Sequence, residues 1–145
     1  RALAMAAVRE TFEETGLILA QPGDVGALSG EGWADFRRDG IAPDLAAMSG
    51  LARAITPPQS PIRFHARFFA TTADKLNGTL KGSGELEDLD WYPISAALKL
   101  PVIDVTEFVL TEVRAIHAEG VTRTGAPLYS YRNNKPIIRN QATTR

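Results

Sequence analysis

Residues 7–17 read AVRETFEETGL, and this stretch decides both the fold and the function predicted for the chain. It places three glutamates, Glu10, Glu13 and Glu14, beside Arg9 on what the surrounding alanine-rich sequence predicts to be one helix. Like charges three or four residues apart destabilise an isolated helix by roughly 0.2–0.5 kcal/mol per pair. Either solvent or a bound cation is therefore expected to offset the repulsion.

The predicted helix runs from Arg1 to Thr15, and Gly16 is well placed to end it. At about 100° per residue, its apolar side chains gather on one flank and its glutamates on the opposite flank. The apolar flank consists of Ala4, Met5, Val8 and Phe12. The helix should thus face a core on one side and present a carboxylate cluster on the other. It opens without an initiator methionine or a capping signal, which predicts that the protein begins before residue 1.

The composition places the chain among ordinary single-domain globular proteins. Its 145 residues are 44% hydrophobic and 23% charged, with a formal net charge of −1. No basic field favours nucleic-acid or membrane partners, and no apolar run approaches the ~20 residues of a membrane span. The absence of cysteine excludes disulfides and thiolate chemistry. These features predict a cytoplasmic protein.

Strand patterns occupy the middle of the chain. Residues 51–58 and 62–72 read as strands, and in the second Phe64, Ala66 and Phe68 alternate with charged or polar residues. A third strand of mixed quality is predicted over residues 85–94, where it would be ended by Pro93.

Helical and turn patterns occupy the flanking segments. Residues 33–40 predict one or two helical turns with Trp33 and Phe36 pointing inward. Residues 104–120 predict an amphipathic helix whose buried stripe is Phe108, Val109, Val113 and Ile116. Residues 127–139 predict a hairpin that turns at Asn133 and Asn134, because asparagine tolerates positive φ.

Residues 9–17, RETFEETGL, resemble the C-terminal half of the Nudix box. That box reads Gly, five residues, Glu, seven residues, then Arg-Glu-U-x-Glu-Glu-x-Gly-U, where U is aliphatic. The matching residues are Arg9, Glu10, Glu13, Glu14, Gly16 and Leu17, whereas Thr11 replaces an aliphatic residue. Counting back, the first glutamate of the box would fall at Arg1 and its first glycine before the chain begins.

Two further segments resemble one branch of this family, the branch that contains the peroxisomal-type coenzyme A diphosphatases. They are RAITPPQSPIRFHARFF and GELEDLDWYPISAAL, and this branch carries an insertion ahead of a similar helix. The resemblance implies an α/β protein with a Nudix-like α/β/α sandwich around a mixed sheet. Residues 1–120 would form that domain without its N-terminal strands, and residues 121–145 a C-terminal hairpin extension. A longer parent protein or a partner, such as a second copy in a homodimer, would supply the missing strands.

The chemistry of the glutamates points the same way as the resemblance. Mg²⁺ favours one or two carboxylates together with water and phosphate oxygens, and it can activate water against a diphosphate. The resemblance implies Mg²⁺ or Mn²⁺ bound chiefly by Glu14 and Glu10, with Glu13 ligating or supporting. Arg9, four residues before Glu13, can pair with it and orient it. The implied enzyme is a diphosphatase acting on a nucleoside diphosphate derivative such as a coenzyme A-like compound, ADP-ribose or a nucleotide sugar.

For several residues, a role in catalysis or binding has to be weighed against a structural or merely solvated role. Glu85, on a glycine-rich loop, is the first candidate for an extra metal ligand or general base and Glu87 the second, while a solvated acidic loop is the alternative. Trp91 is interpreted as a core residue rather than a base-stacking platform. Arg63 and Arg67 are interpreted as solvated rather than phosphate-binding, and neither His65 nor His117 as catalytic. A non-catalytic Nudix-like nucleotide-binding or regulatory module is the alternative to the enzyme.

Overall fold

The computed structural model describes residues 1–28, 30–86, 88–118, 120 and 125–140. Its helices are α1 (Ala2–Thr15), α2 (Ala34–Asp39), α3 (Ile94–Ala97) and α4 (Asp104–His117). Its strands are β1 (Leu17–Ile18), β2 (Ala20–Pro22), β3 (Ile41–Pro43), β4 (Ser49–Ile55), β5 (His65–Ala70), β6 (Asn77–Gly78), β7 (Leu128–Arg132) and β8 (Lys135–Arg139). None of the described helices has the length and apolar character needed to cross a membrane.

The chain divides into two compact units. The first unit comprises Arg1–Ser49 and Thr71–Trp91, and the second comprises Gly50–Ala70 and Tyr92–Arg145. The first unit contains α1, α2 and two antiparallel strand pairs, β1 with β6 and β2 with β3. The second contains a four-stranded sheet in the order β5-β4-β7-β8, together with α3 and α4.

Aromatic packing builds the core of the first unit. Phe36 is completely buried, and its ring lies 5.1 Å from that of Trp33 and 6.0 Å from that of Phe12. Val8, 2% exposed, joins this core from α1, with Met5 packed against it. The predicted inward orientation of Trp33 and Phe36 is therefore confirmed, and so are Met5, Val8 and Phe12 of the predicted apolar flank of α1. Because this packing buries one side of α1, the glutamates lie on the side away from the core.

The sheet of the second unit is mixed. Strand β4 pairs in parallel with β7, and β7 pairs antiparallel with β8. Helix α4 contributes Phe108 to a core with Tyr129 of β7, where the two ring centroids are 5.0 Å apart. The predicted stripe of α4 is confirmed, since Val109, Val113 and Ile116 pack against the same core. At the level of class, the chain is α/β with a mixed sheet.

The predicted hairpin is also confirmed. Strands β7 and β8 flank a two-residue turn at Asn133 and Asn134, which have φ values of 51° and 60°. Positive φ at both central residues gives the turn a twist that suits the flanking strands. The extension predicted over residues 121–145 reaches beyond the described residues at 121–124 and 141–145.

The strand predicted over residues 85–94 is wrong for the part of that segment that the structure describes. The described residues before Ile94 form bends and irregular backbone, and α3 begins at Ile94. Asp88 adopts a φ of 53°, and the Asp90 carboxylate accepts a hydrogen bond from the N–H of Trp91 at 2.7 Å. Aspartate competes for backbone groups in this way, which outweighs the alternating pattern of apolar residues.

Candidate functional site

Helix α1 carries the acidic cluster on the flank away from its core-facing side chains. Glu10 and Glu13 are exposed and Glu14 is half-buried, as expected if Val8 and Phe12 point toward the core. Thr11, which replaces an aliphatic residue of the Nudix pattern, is exposed and donates its hydroxyl to the Ala7 carbonyl at 2.8 Å. Its departure from the pattern therefore leaves no buried hydroxyl without a partner.

Arg9 neutralises part of the cluster. One of its guanidinium nitrogens lies 3.0 Å from both carboxylate oxygens of Glu13, and the other pairs with Glu10. The predicted Arg9–Glu13 pair is thus confirmed. Because the Arg9 side chain is 30% exposed and that of Glu13 is 37% exposed, the pair contributes only about 0.3–0.5 kcal/mol to the stability of the helix. Its main effect is to orient the Glu13 carboxylate.

Glu14 differs from its two neighbours. Among the described residues, its carboxylate has neither a hydrogen-bond nor an ion-pair partner. It lies one helical turn after Glu10, so the two carboxylates project from the same side of α1. Glu14 is therefore the member of the cluster whose charge the described protein groups leave available to a ligand.

The last turn of α1 is held by the glycine-rich loop that precedes Glu85. The backbone N–H of Lys81 donates to the Thr15 carbonyl at 2.8 Å, and that of Ser83 to the Glu14 carbonyl at 3.4 Å. These bonds satisfy carbonyls that a helix leaves unpaired at its C-terminus. Two residues further on, the Glu85 N–H lies 3.4 Å from the Ser83 hydroxyl oxygen, and the Glu85 side chain is exposed. The loop that carries Glu85 is thereby attached to the end of the helix that carries Glu14.

Two glycines make this attachment sterically feasible. Gly16 has a φ of 70°, and a Cβ there would lie 2.6 Å from the carbonyl oxygen of Thr79. Gly78, on the partner strand, has a φ of 94°, and a Cβ there would lie 2.3 Å from the carbonyl oxygen of Gly16. Glycine is needed at both positions for conformation and for space.

Gly32 lies against the acidic cluster, although the sequence did not predict this. A Cβ at this position would lie 2.0 Å from a carboxylate oxygen of Glu13 and 2.8 Å from Cδ of Arg9. The backbone of the Glu31–Trp33 turn thus closes against the Arg9–Glu13 pair. Nothing in the local sequence could have revealed this contact, because it joins residues about twenty positions apart.

The donor chemistry of the cluster suits a hard divalent cation, since carboxylate oxygens are preferred ligands of Mg²⁺. Within the described parts of the chain, however, no three His, Cys, Asp or Glu side chains are arranged so that they could hold a metal ion. Ligation by all three of Glu10, Glu13 and Glu14 stays a prediction.

The remaining candidate residues of the sequence analysis can be judged by the exposure of their side chains. Trp91 is 61% exposed, so its interpretation as a core residue is wrong. Arg63, Arg67 and His65 are exposed, as the solvated interpretation expects, and belong to the second unit. His117 is likewise exposed, and Glu87 lies outside the described residues.

Comparison with family models, with curated proteins and with solved structures gave no match. The resemblance to the Nudix family therefore rests only on the residues of α1 and on the two segments named in the sequence analysis.

The close contact at Gly16 predicts a large effect of a small substitution. Gly16→Ala should lower the free energy of unfolding by about 2–4 kcal/mol, since it combines a left-handed alanine with overpacking against Thr79. Gly26→Ala is the matched control, because Gly26 has a φ of 69° and open space around its Cα. Gly26→Ala should lower the free energy of unfolding by only about 1–2 kcal/mol, which is the cost of a left-handed backbone conformation for alanine. Urea unfolding of both variants measures the difference, and equal losses would show that the loop contact is unimportant.

Proposed function

We propose that this chain is a metal-dependent hydrolase of the Nudix type. It would cleave the diphosphate bond of a nucleoside diphosphate linked to another moiety, such as a coenzyme A-like compound, ADP-ribose or a nucleotide sugar. The observation that carries the proposal is the attachment of the loop leading to Glu85 to the end of α1. The α/β class with a mixed sheet suits a Nudix-like α/β/α sandwich.

The acidic cluster would provide the metal site in this proposal. Glu14 and Glu10 would hold Mg²⁺ or Mn²⁺, and Arg9 would keep Glu13 in place beside them. The bound ion would neutralise diphosphate charge and lower the pKa of a coordinated water. Glu85 would accept the proton of the attacking water, since it is an exposed carboxylate on a loop bonded to the same end of α1.

A non-catalytic Nudix-like module is the second candidate. It is favoured by the pairing of Arg9 with both Glu10 and Glu13, which stabilises the cluster without any ion. Such a module would bind a nucleoside diphosphate derivative without hydrolysing it. Incubating the chain with a panel of nucleoside diphosphate derivatives in Mg²⁺ or Mn²⁺, and measuring phosphate-containing products, separates the two candidates.

The role of Glu14 predicts a loss of turnover without a loss of fold. Glu14→Gln keeps the shape of the side chain but removes its charge, so turnover should fall about a hundredfold or more, a loss of ~2.7 kcal/mol. The melting temperature should be unchanged or slightly higher, because the repulsion between residue 14 and Glu10 is relieved. Steady-state hydrolysis and thermal unfolding are measured on the same preparation.

Glu107→Gln is the matched control for this variant. Glu107 is an exposed glutamate on α4, in the second unit, so turnover by the Glu107→Gln variant should equal turnover by the wild type. Normal turnover in Glu14→Gln, or equal losses in both variants, would contradict the assigned role of Glu14.

The role of Glu85 predicts a different kinetic signature. A general base acts on the chemical step, so Glu85→Gln should lower kcat about tenfold to a thousandfold with little change in KM. Glu85 is exposed, so the melting temperature should not change. Asp88→Asn, an exposed carboxyl variant on the same loop, is the control and should leave kcat within about twofold of the wild type. A rise in KM alone for Glu85→Gln would instead assign Glu85 to substrate binding.

A further inference from the structure

The second unit contains a cavity of about 390 Å³ that the proposed hydrolase chemistry does not use. Its volume falls within the roughly 300–1,000 Å³ typical of small-molecule sites. Its lining comes from β4, β5, β7, the start of α4 and the segments next to them. We call it the Tyr–Asp cavity after Asp104, Tyr129 and Tyr131, which provide its polar groups together with Thr56.

Aromatic rings form much of the wall of this cavity. Phe64 and Phe68 contribute from β5 and the residue just before it, on the face that the alternation of this segment predicts. Tyr129 and Tyr131 contribute from β7, with ring centroids 5.6 Å apart and planes at 87° to each other. Phe64 is 62% exposed, so the apolar wall continues to the surface. Aromatic faces attract cations through their negative electrostatic potential.

Among the lining residues that the structure describes, Asp104 supplies the single formal charge, and none of them is Lys, Arg or His. One of its carboxylate oxygens accepts a hydrogen bond from the Tyr131 hydroxyl, and the other accepts one from the Val105 N–H at 2.8 Å. The bond from Tyr131 keeps the pKa of Asp104 below its usual value, so this carboxylate is ionised at neutral pH. Burial, followed by hydrogen bonding to Tyr131 and Asp104, raises the pKa of Tyr129, which therefore stays neutral.

A position in the first turn of α4 explains why an aspartate is stable there, through its favourable interaction with the helix dipole. It does not explain why that aspartate lines an aromatic cavity. A carboxylate has about four acceptor positions, and Tyr131, Tyr129 and the Val105 N–H use three of them, so Asp104 can accept one further hydrogen bond from a ligand.

We propose that the Tyr–Asp cavity binds a small organic cation, in which an ammonium group is attached to an apolar body. The apolar body would contact the Phe64 and Phe68 rings, and the ammonium group would lie beside Asp104 and the tyrosine rings. An anion would be repelled by Asp104, and a neutral molecule would gain nothing from its charge. A bare metal ion would lack oxygen ligands, because most of the wall is hydrocarbon.

A ligand series that varies only in charge tests the proposal on the full chain. The probes are 2-phenylethylammonium, 2-phenylethanol and phenylacetate, and calorimetric titration measures their affinities. The ammonium compound should bind at least about tenfold more tightly than the alcohol, and phenylacetate should bind most weakly. Equal affinities for the three probes, or no saturable binding of any of them, would overturn the proposal.

Variants locate the binding within the cavity. Asp104→Asn should weaken 2-phenylethylammonium by about tenfold while leaving 2-phenylethanol within about twofold, because only the charge is removed. Glu107→Gln, on the same helix but outside the cavity lining, is the matched control and should leave all three affinities unchanged. A preference for the cation that survives in Asp104→Asn would overturn the assignment.

A second variant keeps the test independent of Asp104. Ala66→Leu narrows the cavity without altering its charge, so it should weaken both 2-phenylethylammonium and 2-phenylethanol. Thermal unfolding identifies folded preparations of each variant. Unchanged binding of both probes in folded Ala66→Leu protein would place their site elsewhere and contradict the proposal.

Discussion

The contact between two glycine backbones, at Gly16 and Gly78, is the constraint on which the first unit depends. It allows the chain to leave α1 in a left-handed conformation and to pair β1 immediately with β6. The loop after β6 then donates hydrogen bonds to the carbonyls of the last turn of α1. A side chain at Gly16 would meet the Thr79 carbonyl oxygen, and one at Gly78 would meet the Gly16 carbonyl oxygen. Either substitution would therefore weaken the attachment of the loop that carries Glu85.

The acidic cluster is stable for reasons that do not require a metal ion. Repulsion between Glu10 and its neighbours costs a few tenths of a kcal/mol per pair. The two ion pairs of Arg9 stabilise the cluster by a similar free energy, since these side chains are partly exposed. Stability alone therefore cannot distinguish a metal site from a solvated acidic face. The distinguishing feature is Glu14, whose carboxylate has no partner among the described residues and which lies where the Glu85 loop attaches.

Local patterns predicted the elements in which one interaction dominates. The apolar flank of α1, the stripe of α4 and the turn at Asn133 and Asn134 follow from periodicity and from positive φ. The strand predicted over residues 85–94 was wrong in its described part because Asp90 binds the Trp91 N–H and Asp88 adopts a positive φ, a competition that alternation does not reveal. Trp91 was consequently expected in a core, although it is largely exposed.

Contacts between distant residues could not be read from the sequence. The approach of Gly32 to the Arg9–Glu13 pair and the parallel pairing of β4 with β7 join segments whose local patterns carry no information about each other. The Tyr–Asp cavity has the same origin, because Tyr131 and Asp104 lie 27 residues apart along the chain. Such features depend on how the elements assemble, whereas hydrophobic periodicity reports only which face of each element is buried.

Titration with Mn²⁺, followed by electron paramagnetic resonance of the free ion, tests the central claim most directly: that the carboxylates of α1 form a divalent-cation site. Wild-type protein and Glu107→Gln should show the same saturable binding, and Glu14→Gln should bind about tenfold more weakly or not at all. This result would assign the ion to α1 independently of any substrate. Identical binding in all three proteins, or no saturable binding in the wild type, would contradict the account.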